Sequence, residues 1–240
     1  MNELSPRPAS PSSRSGGPNP GILAAISLGL TIGGLLSSAI LTGGQTFVSP
    51  FSPVGQIAAY FHVNAGAVRL ASLFQFGSAI PLGIFAATVY ARQLRLGVRV
   101  PGPAIGFFGG ITASAFLMLS ALVVWVLSRP EITADQTLTH ALSFLAFITG
   151  GVAFVVGMGL LVAGIAVPAL ILRFVPRWLA WAGVVIAALS ELSFFSMVFE
   201  PFQVLLPIGR FGGLLWLVAA GFLLPSTRAA ANRQERSADA

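Results

Sequence analysis

Few residues of this chain could do chemistry, and the most exposed to question is Glu191. It lies in Ala188-Leu189-Ser190-Glu191-Leu192-Ser193, well inside a long apolar run. Counted from Trp178 at about 1.5 Å of rise per residue, it falls roughly 20 Å along a helix axis, in the outer third of a bilayer. An ionised carboxylate there costs a few kcal/mol unless it is neutralised, paired or hydrated. Glu191 suits a proton relay or a cation site. It also suits a structural ion pair or hydrogen bonds to hydroxyls, and this second role carries more weight. Ser190, Ser193 and Ser196 recur at every third position, so a polar stripe can face a bundle interior.

Arg69 comes next, with Gln75 deeper in the same run. Arginine near a helix end can extend its charge to the headgroups or pair with a carboxylate. Glu191, Glu200 and Arg210 belong to the same side of the membrane in the topology below. The candidate site is therefore an outer-face polar cluster of Arg69, Glu191, Glu200 and Arg210, with Gln75, Ser190 and Ser193 as secondary members. His62 and His140 are also expected at the outer surface. Their spacing matches no zinc motif, and their shallow placement does not suit haem ligation inside a bundle. No metal and no cofactor is expected.

The chain has no cysteine, which excludes disulfides, thiolate metal sites and thiol nucleophiles. It has no Gly-x-Ser-x-Gly elbow, no Gly-x-x-x-x-Gly-Lys phosphate loop and no Asp-x-x-Asp run, so no catalytic residue can be assigned.

Apolar helices must position these groups. Of 240 residues, 55% are hydrophobic and 8% charged, whereas a soluble domain carries about 25% charged residues. Such a chain has lipid as its solvent. A spanning helix needs about 20 apolar residues, and six segments qualify: 21–43, 66–91, 104–128, 141–172, 178–199 and 208–225. The fold expected is an all-α, polytopic transmembrane helix bundle over 21–225. Residues 1–20 and 226–240 are predicted to be disordered cytoplasmic tails. The fourth segment is overlong, which predicts tilt, an extra-membrane turn or a break near Pro168, and the sixth is the shortest. Between the first two, Ser52-Pro53 and the run Val54 to Phe61 predict a short interfacial helix capped by Ser52. Asn64 follows as the cap of the second span.

All thirteen basic residues are arginine, and the net charge is +6. With both termini in the cytoplasm, Arg7, Arg14, Arg92, Arg95, Arg99, Arg173, Arg177, Arg228, Arg233 and Arg236 face inward, against Arg69, Arg129 and Arg210 outside. That asymmetry sets an N-in/C-in topology. Scattered arginines between apolar runs make the lipid bilayer the partner and exclude nucleic acid. Gly29-x-x-x-Gly33 and Gly106-x-x-x-Gly110 let backbones approach closely. Packing within one bundle is the favoured reading of these glycines, and a homodimer is the alternative. Arginine without lysine, with abundant Ala and Gly, points to a bacterial plasma (inner) membrane.

The segment Val175-Pro176-Arg177-Trp178-Leu179-Ala180-Trp181-Ala182-Gly183 resembles the Pro-Arg-Trp-Leu-x-Trp-x-Gly signature of a bacterial family of six-helix membrane proteins, a domain of unknown function. The likeness continues through Ser190-Glu191-Leu192-Ser193 and Leu206-Pro207-Ile208-Gly209-Arg210-Phe211-Gly212. It implies a plasma-membrane location and six helices, and supplies no substrate or catalytic residue. Three function classes follow in order of weight. They are a structural, accessory or sensory membrane protein, a small transporter or channel using the Glu191 region, and an intramembrane enzyme acting on lipid.

Overall fold

A computed structural model describes residues 17–227, and every regular element there is helical. Six stretches are long and apolar enough to cross a membrane: Pro20–Leu41, Ala65–Arg95, Gly102–Leu127, Gln136–Ile171, Arg177–Met197 and Glu200–Leu223. The expected polytopic bundle is therefore what the chain forms. Most of the two predicted tails, with Arg7, Arg14, Arg228, Arg233 and Arg236, lies outside the described residues.

The helices are α1 (Pro20–Leu41), α2 (Val54–Val63), α3 (Ala65–Arg95), α4 (Gly102–Leu127), α5 (Pro130–Thr133), α6 (Gln136–Ile148), α7 (Phe154–Ile171), α8 (Arg177–Leu192), α9 (Leu205–Pro207) and α10 (Gly213–Leu223). Wide π turns join α6 to α7 over Thr149–Ala153 and α9 to α10 over Ile208–Gly212. Tight 3-10 turns over Ser193–Met197 and Glu200–Val204 connect the last two spans. The bundle thus has an α2 end, where α2, α5 and these 3-10 turns gather. Its other end carries Arg92, Arg95 and Arg177.

Local signals explain several boundaries. The Asn19 side chain accepts a hydrogen bond from Gly21 N at 2.9 Å, and Pro20 takes the first helical position of α1. α1 stops before Gly43 and Gly44, whose φ values of 64° and 86° suit glycine best. The short helix after Ser52 forms, but Pro53 and not Ser52 occupies its cap position. Asn64 caps α3 by position only. Its side chain donates to Gln45 Oε1 at 3.4 Å instead of to the helix.

Three expectations need correction. The second span runs on to Arg95, one turn beyond its apolar core. The sixth begins at Glu200, because 3-10 and π turns extend it toward the α2 end, and it is long enough to cross. The fourth does not break near Pro168. That residue sits inside α7, which continues to Ile171, and the irregularity lies instead at Thr149–Ala153.

Pro168 is tolerated because its missing N–H is replaced. In a regular helix, the Gly164 carbonyl would bond the N–H of residue 168. Here it accepts from Gln93 Nε2 at 3.0 Å, a side chain only 2% exposed. Pro81 in α3 is a different case, because the carbonyl its missing N–H frees is that of Gly77. The neighbouring carbonyls of Ser78 and Ala79 accept from Ser27 Oγ on α1 at 2.8 Å and Ser114 Oγ on α4 at 2.7 Å. Gln93 therefore satisfies backbone that hydrocarbon could not, while Ser27 and Ser114 tie α1 and α4 to α3 beside Pro81.

Helices α4 and α7 meet backbone to backbone. A Cβ on Gly109 would stand 2.6 Å from Gly157 O, and one on Gly164 would stand 2.5 Å from Gly102 O. Of the small-residue pairs, Gly106 abuts Gly164, Gly110 abuts Ala86 and Leu161, and Gly33 faces the Phe74 ring; Gly29 meets nothing within 4 Å. The outer surface along the spans is apolar, with Leu36, Ile40, Leu73, Phe108 and Ile171 all exposed. Trp125, Trp178 and Trp181 are exposed near span ends, where interfacial tryptophans sit.

Candidate functional site

The two π turns build the site. At the first, Thr149-Gly150-Gly151-Val152-Ala153, the ladder widens and the Ala146 carbonyl, which accepts from the Thr149 N–H, also accepts from Ser120 Oγ at 2.9 Å and Thr149 Oγ1 at 3.3 Å. Gly150 makes this possible, since a Cβ there would collide with Ser120 Oγ. The second π turn, Ile208-Gly209-Arg210-Phe211-Gly212, carries Arg210, which enters the bundle. Such turns rotate the side chains that follow them and cluster at functional sites.

Both turns border a cavity of about 650 Å³ in the α2-end half of the bundle. α1, α3, α4, α6 and the start of the sixth span wall it, and residues 44–50 roof it. α1 and α10 are in contact near the opposite end, where Gly221 abuts Gly21 and the Phe222 ring covers it. Nearer the α2 end, Thr31, Leu35 and Ser38 of α1 line the cavity together with Leu206, Pro207, Arg210 and Phe211. The wall is mostly aliphatic and aromatic, with Thr31, Ser38, Gln75, Ser78, Ser120 and Ser143 as its polar points inside the spans. Several hydroxyls donate to helix carbonyls, among them Ser78 to Gln75 O at 2.8 Å and Ser143 to His140 O at 2.7 Å. Their oxygens remain acceptors, and a hydroxyl can turn its hydrogen elsewhere.

Arg210 is the single charged group of the lining. Its guanidinium carbon stands 5.0 Å from the centroid of the Phe154 ring, and its Nε is buried with no hydrogen-bond partner. A cation over an aromatic face gains up to about 2 kcal/mol when desolvated, but the ring satisfies none of the N–H groups. Gln75 faces the same space and donates only a long bond, 3.4 Å, to Leu117 O.

The four residues of the expected cluster are not paired with one another. Arg69 is exposed and its Nε donates back to Ala65 O at 3.3 Å. Glu200 is exposed at the start of a 3-10 turn. Glu191 points at α7, where Gly159 leaves it room: a Cβ on Gly159 would stand 2.6 Å from Glu191 Oε1. That oxygen is buried and has no partner. Among the described residues, the ion pair observed is Arg129–Glu131 at 3.9 Å, on the surface. Arg210, carried on the π turn, stacks over Phe154, while Arg69 and Glu200 lie exposed, so membrane side alone does not bring the four together.

The secondary residues divide the same way. Gln75 belongs to the cavity. Ser190 and Ser193 are fully buried, but each hydroxyl is spent on its own helix, to Ile186 O at 2.8 Å and Ser190 O at 2.6 Å. His62 Nδ1 hydrogen-bonds Thr133 Oγ1 at 3.2 Å, and His140 Nε2 donates to Pro50 O at 3.0 Å. These imidazoles tie connecting segments to the α2 end, and among the described residues no group of His, Asp and Glu could hold a metal.

Ser78, Ser120, Ser143 and the 44–50 roof escape a reading of single residues. A trace existed in Ser72, Gln75 and Ser78, which recur every third residue in α3. Chemically, the lining offers a cation, the amides of Gln45 and Gln75, and hydroxyls, and no carboxylate or imidazole. It can bind an anion, but it supplies no general base of the usual kind. No family model, curated protein or solved structure matches this chain.

Proposed function

We propose that this multi-pass membrane protein has an accessory or sensory role and works by holding a ligand in the α2-end cavity, without transforming it. One observation carries the reading: Arg210 lines an intramembrane cavity with a buried, unpartnered Nε. A buried arginine without a counter-charge is costly in this medium, so a site that keeps one is built to receive its partner. The arginine asymmetry supports an N-in/C-in orientation in a bacterial plasma membrane, with the cavity in the outer half. The likeness of Pro176–Gly183 and of the Arg210 segment to the six-helix bacterial family agrees with that placement.

A small transporter is the second reading, favoured by Glu191. Its buried Oε1 lacks a partner, and Ser190 beside it is contacted by Gly209, next to Arg210. A change of charge at Glu191 would therefore be felt by the span that carries Arg210.

The chain lacks cysteine, so single cysteines can be read without background. Ser38→Cys and Phe147→Cys place a thiol in the cavity, Leu36→Cys places one toward lipid, and Glu131→Cys places one on the exposed α5. A membrane-impermeant, charged thiosulfonate applied to intact cells should label the cavity cysteines and position 131, but not position 36. Labelling at 131 with none at 38 or 147 would refute the accessible cavity. Labelling at 131 only after lysis would refute the orientation.

A further inference from the structure

The cavity wall combines one cation with a long apolar lining, and that pairing identifies a class of ligand. Arg210 offers a planar fork of N–H donors, which suits a carboxylate or phosphate better than any neutral group. The Phe154 ring covers one face of the guanidinium and leaves its edges for hydrogen bonding. Gln75 adds an amide from α3. No carboxylate lines the wall, so a cation would find no charge to meet. Beyond these donors, Leu35, Phe61, Phe147, Leu206 and Phe211 present hydrocarbon. A small inorganic anion would leave most of that surface without a matching partner. The volume, about 650 Å³, lies within the roughly 300–1,000 Å³ typical of small-molecule sites.

The route of entry follows from the helix arrangement. α1 contacts α10 through Gly21, Gly221 and Phe222 near one end, whereas Leu35 and Ser38 line the cavity together with Leu206 and Phe211. This side of the cavity lies between the first and sixth spans, both of which carry exposed apolar residues such as Leu36 and Leu215.

We infer that the ligand is an anionic amphiphile drawn from the bilayer, its carboxylate or phosphate on Arg210 and Gln75 and its chain laid between α1 and the sixth span. This rests on the ligand-binding reading above. A fatty-acid carboxylate and an anionic phospholipid headgroup share the chemistry, and the test separates them.

Wild-type protein and the variants Arg210→Gln, Arg210→Lys and Arg69→Gln are examined by native mass spectrometry from a neutral detergent. Oleate, phosphatidylglycerol, methyl oleate and inorganic phosphate are offered in turn. Labelling of Ser38→Cys is followed in parallel as a second readout. The expected result is one retained oleate or phosphatidylglycerol, with methyl oleate held at least about tenfold more weakly, the loss of a charge-assisted hydrogen bond. The same ligand should slow labelling of Cys at position 38. Arg210→Gln should weaken binding by about tenfold or more, Arg210→Lys by less, and Arg69→Gln not at all.

Preference for oleate assigns a free fatty-acid carboxylate; preference for phosphatidylglycerol assigns a phospholipid headgroup. Equal retention by wild type and Arg210→Gln overturns the proposal, because binding would then be annular. Equal retention of methyl oleate and oleate does the same. Tight inorganic phosphate that protects position 38, with no gain from a chain, sinks the amphiphile while sparing the ligand-binding reading. A cavity cysteine that never labels sinks that reading itself. Arg210→Gln removes a buried unpaired charge, so it should fold, and a helical circular-dichroism spectrum matching wild type confirms it.

Discussion

Gln93→Leu tests the bond that lets Pro168 sit inside a spanning helix. Gln93 Nε2 donates to the Gly164 carbonyl at 3.0 Å, and that carbonyl has no helical donor because residue 168 lacks an N–H. Leucine removes the donor and leaves the carbonyl unsatisfied in a dry seam. An orphaned buried acceptor costs about 1–3 kcal/mol, and interhelical hydrogen bonds measured in membranes average about 0.6 kcal/mol with a maximum near 1.7. A loss of about 1–2 kcal/mol is therefore expected. The sharper measurement is a cycle with Pro168→Ala. Alanine restores the N–H at 168, the carbonyl regains its helical bond, and Gln93→Leu should then cost about 1 kcal/mol less. Packing lost from the Pro168 ring against Gly102 cancels in the cycle. Steric trapping or denaturant titration in bilayer mimics gives the four stabilities. A coupling within about 0.3 kcal/mol of zero, below the usual additivity error, would show that Gln93 does not compensate the proline.

Two further outcomes are expected. Gly164→Ala should destabilise by about 1–3 kcal/mol or more, as overpacking does: its Cβ would meet backbone atoms of Gly106 and Gly102, which cannot swing aside. A melting temperature equal to wild type would mean the α4–α7 seam is looser than described. Glu191→Gln should leave stability unchanged or raise it, because Glu191 Oε1 is buried with no partner to lose. A loss above about 1 kcal/mol in the same titration would reveal a structural partner for the carboxylate.

The candidate site was legible in pieces. Arg210 and Gln75 could be singled out because a charge or an amide within an apolar run is rare and conspicuous. Their grouping with Glu191, Glu200 and Arg69 rested on membrane side alone, and side says nothing about azimuth around a helix. The π turn at Ile208–Gly212 sets that azimuth for Arg210, and it has no composition signature of its own. Likewise Ser120 and Ser143 look like ordinary small residues until Gly150 and the first π turn bring α4 and α6 around a shared cavity.

What the sequence determined by itself is the set of spans. In hydrocarbon each backbone group must be satisfied inside the protein, and a helix does this almost wholly within one segment, so about 20 apolar residues suffice to dictate a helix wherever they occur. Six such stretches, separated by Pro, Gly and Arg, leave little freedom. Tertiary structure decided everything that depends on a neighbour. The Gly164 carbonyl finds Gln93 from 71 positions away, and Gly183 is small because the Trp216 ring lies against it while Trp216 Nε1 donates to Leu179 O at 2.7 Å. Lipid is as apolar as leucine and gives no instruction about which faces meet. Close packing and scattered polar bonds settle that choice, and only a folded bundle contains them.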